Sequence, residues 1–263
     1  MLYSIAYAPV LSYKGKHPVV KILFLDLETT PMTAHTWGLW QQNVGLNQII
    51  ESTEVMCFGA RWYGQDKVTF RSTHHHGKLK MLEDLHALMD EADVVCGWNS
   101  ATFDHKHIRR EFLEAGMAPP SPTKDMDLMR AVKSQFRFPS NKLDYVAQKL
   151  NVGAKVKHSG FDLWVKCMAG DRKAWKEMKE YQIQDVNLLI DLYEKLRPWI
   201  KNHPSVPLHN LAKDGCVACG SLKLQKRGYE KTSTSVYQRF QCTDCGKWMR
   251  AAKQESGSSL RSI

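Results

Sequence analysis

Asp26 and Glu28 end the apolar run VVKILFLDLE, and the alternation of an extended chain places both on the face shared by Val20, Ile22 and Phe24, about 7 Å apart. Asp185 follows Tyr181 by one helical turn in YQIQD, on a stripe with Met178, Leu188 or Leu189, and Leu192 that a 3.6-residue period turns toward a core. Asp104 closes the segment NSATFD, where a strand feeds a helix. Each acid alone has a plain reading: a solvated acid-x-acid pair, a helix cap, a salt bridge to an Arg. A carboxylate kept from water nevertheless costs several kcal/mol unless something cationic compensates it. Asp26, Glu28 and Asp104 all fall at C-terminal strand ends, where open α/β sheets gather functional groups.

A second set of residues suits a different metal. Cys216 and Cys219, then Cys242 and Cys245, form Cys-x-x-Cys twice with 22 residues between, and a glycine, Gly220 or Gly246, follows each pair. Two thiolates at this spacing curl onto one ion, and four complete a tetrahedral Zn²⁺ site with no position left for water, so the metal is structural. The intervening residues 222–240 read as a β-hairpin, and the module resembles a zinc ribbon. Lys223, Lys226, Arg227, Lys231, Arg239, Lys247 and Arg250 interleave there with Tyr229, Tyr237 and Trp248. That mixture can hold phosphates and stack bases, or form a solvated basic hairpin.

Other residues carry weaker signals. Lys155 and Lys157, between Gly153 and Gly160, could line the path of a strand or sit in a solvated loop; no Walker pattern is present. His74, His75 and His76 fall in an expected loop without acid partners, and Asp125 and Asp127 form a second acid-x-acid pair. Trp164 and Trp175 read as core, and Cys57, Cys96 and Cys167 lack ligand spacing and read as buried thiols.

The elements that must position these groups alternate. Strands are expected at residues 19–28, 55–62, 67–71 and 93–98, and helices at 78–91, 103–115, 128–136, 143–150 and 173–196, the last stopped by Pro198. This βαβα succession predicts an α/β layered domain over residues 1–200, then a linker at 201–212, the ribbon at 213–252 and a disordered tail at 253–263. The chain has 263 residues with 37 Lys and Arg against 27 Asp and Glu, a formal +10, of which +7 lies beyond residue 200. That excess suits a polyanionic partner. No apolar stretch approaches a membrane span, no signal peptide is legible, and seven cysteines, an odd number, favour a reduced cytoplasmic setting.

LDLETT with Asp26 and Glu28, NSATFD with Asn99, Phe103 and Asp104, and YQIQD with Tyr181 and Asp185 resemble, in order and spacing, the three motifs of the DnaQ-like 3′-to-5′ exonucleases of the RNase H-like superfamily, in the tyrosine-bearing DEDDy branch. The resemblance covers roughly residues 19 to 197. It implies a mixed five-stranded sheet flanked by helices, with Asp26, Glu28, Asp104 and Asp185 holding two Mg²⁺ or Mn²⁺ ions for in-line attack of water on the terminal phosphodiester. Tyr181 would orient the water, since a phenol of pKa about 10 is a poor base at neutral pH. Asn99 and Phe103 would contact the terminal nucleotide, Phe103 being nearly as well explained by packing.

The partner implied is nucleic acid, DNA favoured over RNA. No polymerase domain accompanies the motifs, so a free-standing nuclease is implied, in a compact arrangement similar to those of bacterial viruses. A non-catalytic nucleic-acid-binding adaptor that keeps the shell has no need of all four acids, and a structure-specific endonuclease would cut internally.

Overall fold

The computed structural model describes residues 20–156, 158–209 and 214–260, which divide into two compact units, Lys21–Glu194 and the described residues from Lys195 onward with Val20. In the first unit the chain runs β1 (Ile22–Thr29), β2 (Thr33–Ala34), β3 (Ile49–Glu51), β4 (Val55–Trp62), β5 (Val68–Ser72), α1 (Thr73–His76), α2 (Lys78–Glu91), β6 (Val94–Gly97) and α3 (Asp104–Glu114). It continues through β7 (Lys124–Asp127), α4 (Leu128–Gln135), α5 (Leu143–Lys149), α6 (Phe161–Met168) and α7 (Arg172–Leu196). The main sheet has five strands in the order β5-β4-β1-β6-β7; β4 is antiparallel to β1 and β5, while β6 is parallel to β1 and β7. This is the mixed, helix-flanked sheet of an RNase H-like fold.

Period-two alternation on β1 sorts its side chains into two cores. Leu23, Leu25 and Leu27 pack with Met81, Leu82 and Leu85 of α2 and Ile108 and Phe112 of α3. The opposite face turns to α7, where Phe24 meets Tyr193 edge-on at 5.3 Å. Asp26 and Glu28 continue that second face. Beyond them, Met56, Cys57 and Phe70 pack with Leu163, Trp175, Met178 and Tyr181, so Trp175 and the thiols Cys57 and Cys167 are core groups.

Two features of this unit escape the apolar period. The fifth strand, β7, reads Lys-Asp-Met-Asp and has no alternation of its own; its pairing to β6, from Val94↔Lys124 to Gly97↔Asp127, makes it a strand. Its acids are structural anchors: Asp127 accepts the backbone N–H groups of Arg130 and Asn99, and Asp125 accepts from Ser100 Oγ at 3.1 Å. Helix α6, which follows Gly160 at φ +71°, is the other, while the three histidines form the short helix α1 with His74 stacked on Trp175 at 5.2 Å.

The second unit holds α8 (Val206–His209), β8 (Leu224–Lys231), β9 (Ser235–Cys242), β10 (Trp248–Arg250) and β11 (Ser256–Gly257). Strand β9 pairs with all three others. The structure differs here from two expectations. The stretch read as a linker contains α8, whose Val206 N–H donates to Val217 O at 3.0 Å. The stretch read as a disordered tail supplies β11, because Glu255 and Ser258 donate to Val236 and Thr234 and so extend the sheet. Residues 210–212 of the expected linker, 213 of the expected ribbon and 261–263 of the expected tail lie outside the described residues. Among the described residues no helix is long and apolar enough to cross a membrane.

Candidate active site

The C-terminal end of β1 delivers Asp26 and Glu28, the first turn of α3 delivers Asp104, and the middle of α7 delivers Tyr181 and Asp185. Asp26, Asn99, Lys155, His158 and Tyr181 line one cleft of about 650 Å³. Asp104 and Asp185 are buried, while Asp26 and Glu28 are partly exposed. Leu27 N–H donates to the Asp104 carboxylate, which ties α3 to the strand between the two β1 acids.

The electrostatics are those of crowded anions short of positive charge. Burial, then the Asp185 carboxylate, pushes Asp26 up to about 7. Burial, then Asp26, pushes Glu28 up to about 8. Asp104 is raised well above the carboxylate range by burial and Asp26, and Asp185 is raised by burial although Lys155 and Tyr181 oppose the shift. Burial and the neighbouring acids raise the Tyr181 phenol as well, so it keeps its proton at neutral pH.

One side chain compensates part of this charge. Lys155 donates to Asp185 and, at 2.7 Å, to the Tyr181 hydroxyl oxygen, and its ammonium lies 4.9 Å from the Tyr181 ring centroid. Asp144 holds the Lys155 backbone N–H at 2.9 Å and so anchors the loop. The Lys155 charge also lowers the pKa of Asp26 and Glu28, so the single ammonium acts on three carboxylates.

Residues 23–197 match the family model RNase_H_2, of the RNase_H superfamily. The chain belongs to the RNase H superfamily. No curated protein matches it. Among solved structures it is similar to the family B DNA polymerase of the hyperthermophilic archaeon Pyrobaculum calidifontis, at 16% identity and a TM-score of 0.53. That likeness covers 83% of this chain and 32% of the polymerase chain, so it shows the fold. The superfamily membership, with the acid cleft, supports a nuclease acting on nucleic acid.

The donor set of this RNase H-like cleft fits divalent ions. One ammonium acts on three of the four carboxylates, all their donors are hard oxygens, and Asp185 Oδ1 is buried with no hydrogen-bond partner. An orphaned anionic oxygen in such surroundings is stable when a cation meets it. Asp26, Glu28, Asp104 and Asp185 are the groups that could hold divalent ions here.

Asn99 takes φ +65°, a left-handed conformation that Asn tolerates, and Asp127 fixes it by accepting its N–H at 3.0 Å. Its side-chain oxygen accepts from Thr102 Oγ1 at 2.6 Å at the rim of the cleft. Phe103 lies in an adjoining groove of about 530 Å³, lined also by Thr29, Pro31, His158, Phe161 and Trp164. Lys157 lies outside the described residues.

Three contributors are invisible to motif spacing. Gln182, fully buried, donates to Asp26 Oδ2 at 3.0 Å. Trp164 packs on the core cluster, as its sequence reading expects, and in addition hydrogen-bonds Glu28 and forms, with His158, the aromatic wall around Tyr181. Gly59, paired with Asp26 across β4, lets α7 approach, since a Cβ there would stand 2.9 Å from Val186 Cγ2 and 3.2 Å from the Gln182 carbonyl. The sequence signal for Gln182 was its place beside Tyr181 in YQIQD; Trp164 and Gly59 gave none.

In the second unit the Sγ atoms of Cys216, Cys219, Cys242 and Cys245 all lie within 4.8 Å of one another. Gly220 and Gly246 take φ +76° and +77°, and their N–H groups close the turns onto Cys216 O and Cys242 O. This convergence of four thiols is compatible with a zinc ribbon. Among the described residues no other set of three or more such ligands meets so closely; the acids of the cleft stand farther apart, with the Lys155 ammonium among them. Arg250 lies 4.0 Å from the Tyr237 ring and Arg239 5.0 Å from that of Trp248. Lys247 is withdrawn from any phosphate-binding role, being 7% exposed with its ammonium on Ile200 O at 2.6 Å.

Proposed function

We propose that the chain is a metal-dependent 3′-to-5′ exonuclease, with DNA the favoured substrate and a structural Zn²⁺ in the ribbon. The observation that supports this reading is that Glu28, Asp104 and Asp185, from three separate elements, each share an electrostatic interaction with Asp26, beside a protonated Tyr181. Alignment with part of a DNA polymerase supports DNA.

The reaction is attack of water on the last phosphodiester, with the bond to the 3′ oxygen breaking and a nucleoside 5′-monophosphate leaving. Divalent ions, when bound, neutralise the carboxylates, activate water and stabilise the departing oxygen. Tyr181 positions rather than deprotonates: its oxygen accepts from Lys155, which leaves its own proton free to donate to a carboxylate or to the attacking water. Gln182 and Trp164 fix the orientation of Asp26 and Glu28. Asn99 and Phe103, which line the cleft and its adjoining groove, would meet the terminal nucleotide, and Lys155 its backbone. The ribbon's exposed basic and aromatic side chains would add strand affinity.

Linear and covalently closed circular single strands of one sequence separate the readings. The proposal expects the linear strand to be consumed and the circle to persist. Cutting of the circle would identify an endonuclease, and binding of both without cleavage an adaptor.

A further inference from the structure

Immediately after Glu28 and Thr29 the chain leaves the sheet and does not return until Val55. The excursion has an ordered stalk. Thr30 N–H donates to Glu54 O and Glu54 N–H to Thr30 Oγ1; β2 pairs with β3; and His35 and Gln48 exchange two bonds, His35 N–H to Gln48 O and Gln48 Nε2 to His35 O, both at 2.9 Å. Above this clasp the loop of residues 36–47 displays Trp37, Leu39 and Trp40 at 96%, 90% and 83% exposure. Gln41, directly after them, holds φ +54°.

A soluble protein rarely leaves two tryptophans this bare without a ligand for them. Two observations narrow the ligand. First, from residue 29 to residue 50 the sequence has no Lys, Arg, Asp or Glu, although 24% of the whole chain is charged. The loop therefore brings no positive charge to phosphates; it offers ring faces and the amides of Gln41, Gln42, Asn43 and Asn47, which suit bases. Second, both feet of the stalk line the groove beside the acid cleft: Thr29, Thr30 and Pro31 on one side, Thr53 on the other. Six residues of extended chain reach at most about 20 Å, so a strand whose end fills the groove passes within range of the tip.

We propose that this stalked loop grips unpaired bases of the nucleic-acid strand entering the cleft, with Trp37 and Trp40 as stacking platforms. The division of labour is chemical: the acids and their ions work on the terminal phosphate, and the uncharged loop holds bases several nucleotides back. The proposal rests on the nuclease reading.

The test compares a 20-nucleotide single strand with the p-nitrophenyl ester of thymidine 5′-monophosphate, which is too short to touch the loop. In the full chain, Trp37→Ala with Trp40→Ala raises the KM for the strand relative to that for the ester by about 10- to 100-fold, the range expected from lost base stacking. Trp37→Phe with Trp40→Phe retains most of the strand affinity. A ratio within twofold of the unaltered protein's would overturn the proposal and turn the loop toward a protein partner. Failure of the unaltered protein to cleave either substrate would instead defeat the nuclease reading, and the proposal with it.

Discussion

Asp26 at about 7 and Glu28 at about 8 bind protons more tightly folded than unfolded, because burial and neighbouring acids disfavour their charge. Their contribution to stability is complete below the unfolded carboxylate range and disappears as pH rises through about 7 to 8. The metal-free protein is therefore expected to lose thermal stability between pH 5 and pH 9, and Mn²⁺ to restore more at pH 8 than at pH 5. A melting temperature flat across this range in chelator would contradict that electrostatic account. By the same reasoning Asp26→Asn raises the metal-free melting temperature at pH 8, by roughly 2–4 °C per kcal/mol of relieved strain, while abolishing activity. Lys155→Met acts in the opposite sense: it removes the ammonium from Asp185 and Tyr181, lowers metal-free stability at pH 8 and lowers kcat by about tenfold or more. At this scale Asp26, Glu28, Tyr181 and Asp185 stood out in the sequence because each occupies an apolar period, and Asp104 because it falls where a strand feeds a helix. Lys155 stood out only as a residue that could line a strand path; its pairing with Asp185, like the contacts of Gln182 and Trp164, joins segments up to 156 residues apart that no local pattern links.

Close contact between α7 and the sheet brings Asp185 to the strand acids, and Gly59 allows it. Gly59→Ala forces a methyl group against Val186 and the Gln182 carbonyl, an overpacking of about 1–3 kcal/mol, and displaces the side chain that orients Asp26. Lower stability together with a loss of kcat exceeding any change in KM is expected. Unchanged kinetics would show that the approach of α7 is not critical. Strong periodicity made the larger elements readable: the expected helix at 78–91 and strand at 55–62 coincide with α2 and β4. The shortfall lies where tertiary pairing overrides local pattern. Strand β7 carries two acids among four residues and exists through its partner β6, and the β2–β3 stalk, with strands of two and three residues, depends on side-chain clasps.

At the level of the whole molecule the proposed reading gives the two units different metals, which could be removed separately. Cys242→Ser is expected to unfold the ribbon, weaken binding of an oligonucleotide and reduce the salt dependence of that binding, with little effect on turnover at saturating substrate. Affinity and salt slope equal to those of the unaltered protein would leave the ribbon without a part in substrate binding. The division into an α/β layer and a cysteine module was legible from composition and spacing, whereas the strand that 256–257 adds to the module was not, because Ser and Gly carry no strand signal. The central claim is that the acid cleft removes nucleotides from a 3′ end with the help of divalent ions. It is tested most directly by a time course on 5′-labelled single-stranded DNA and RNA of one sequence, with Mg²⁺, with Mn²⁺ and with chelator, beside Asp185→Asn. The account predicts a metal-dependent ladder that shortens one nucleotide at a time from the 3′ end, faster on DNA and absent in the variant. An intact strand under every metal condition, or an undiminished ladder from Asp185→Asn, would contradict it.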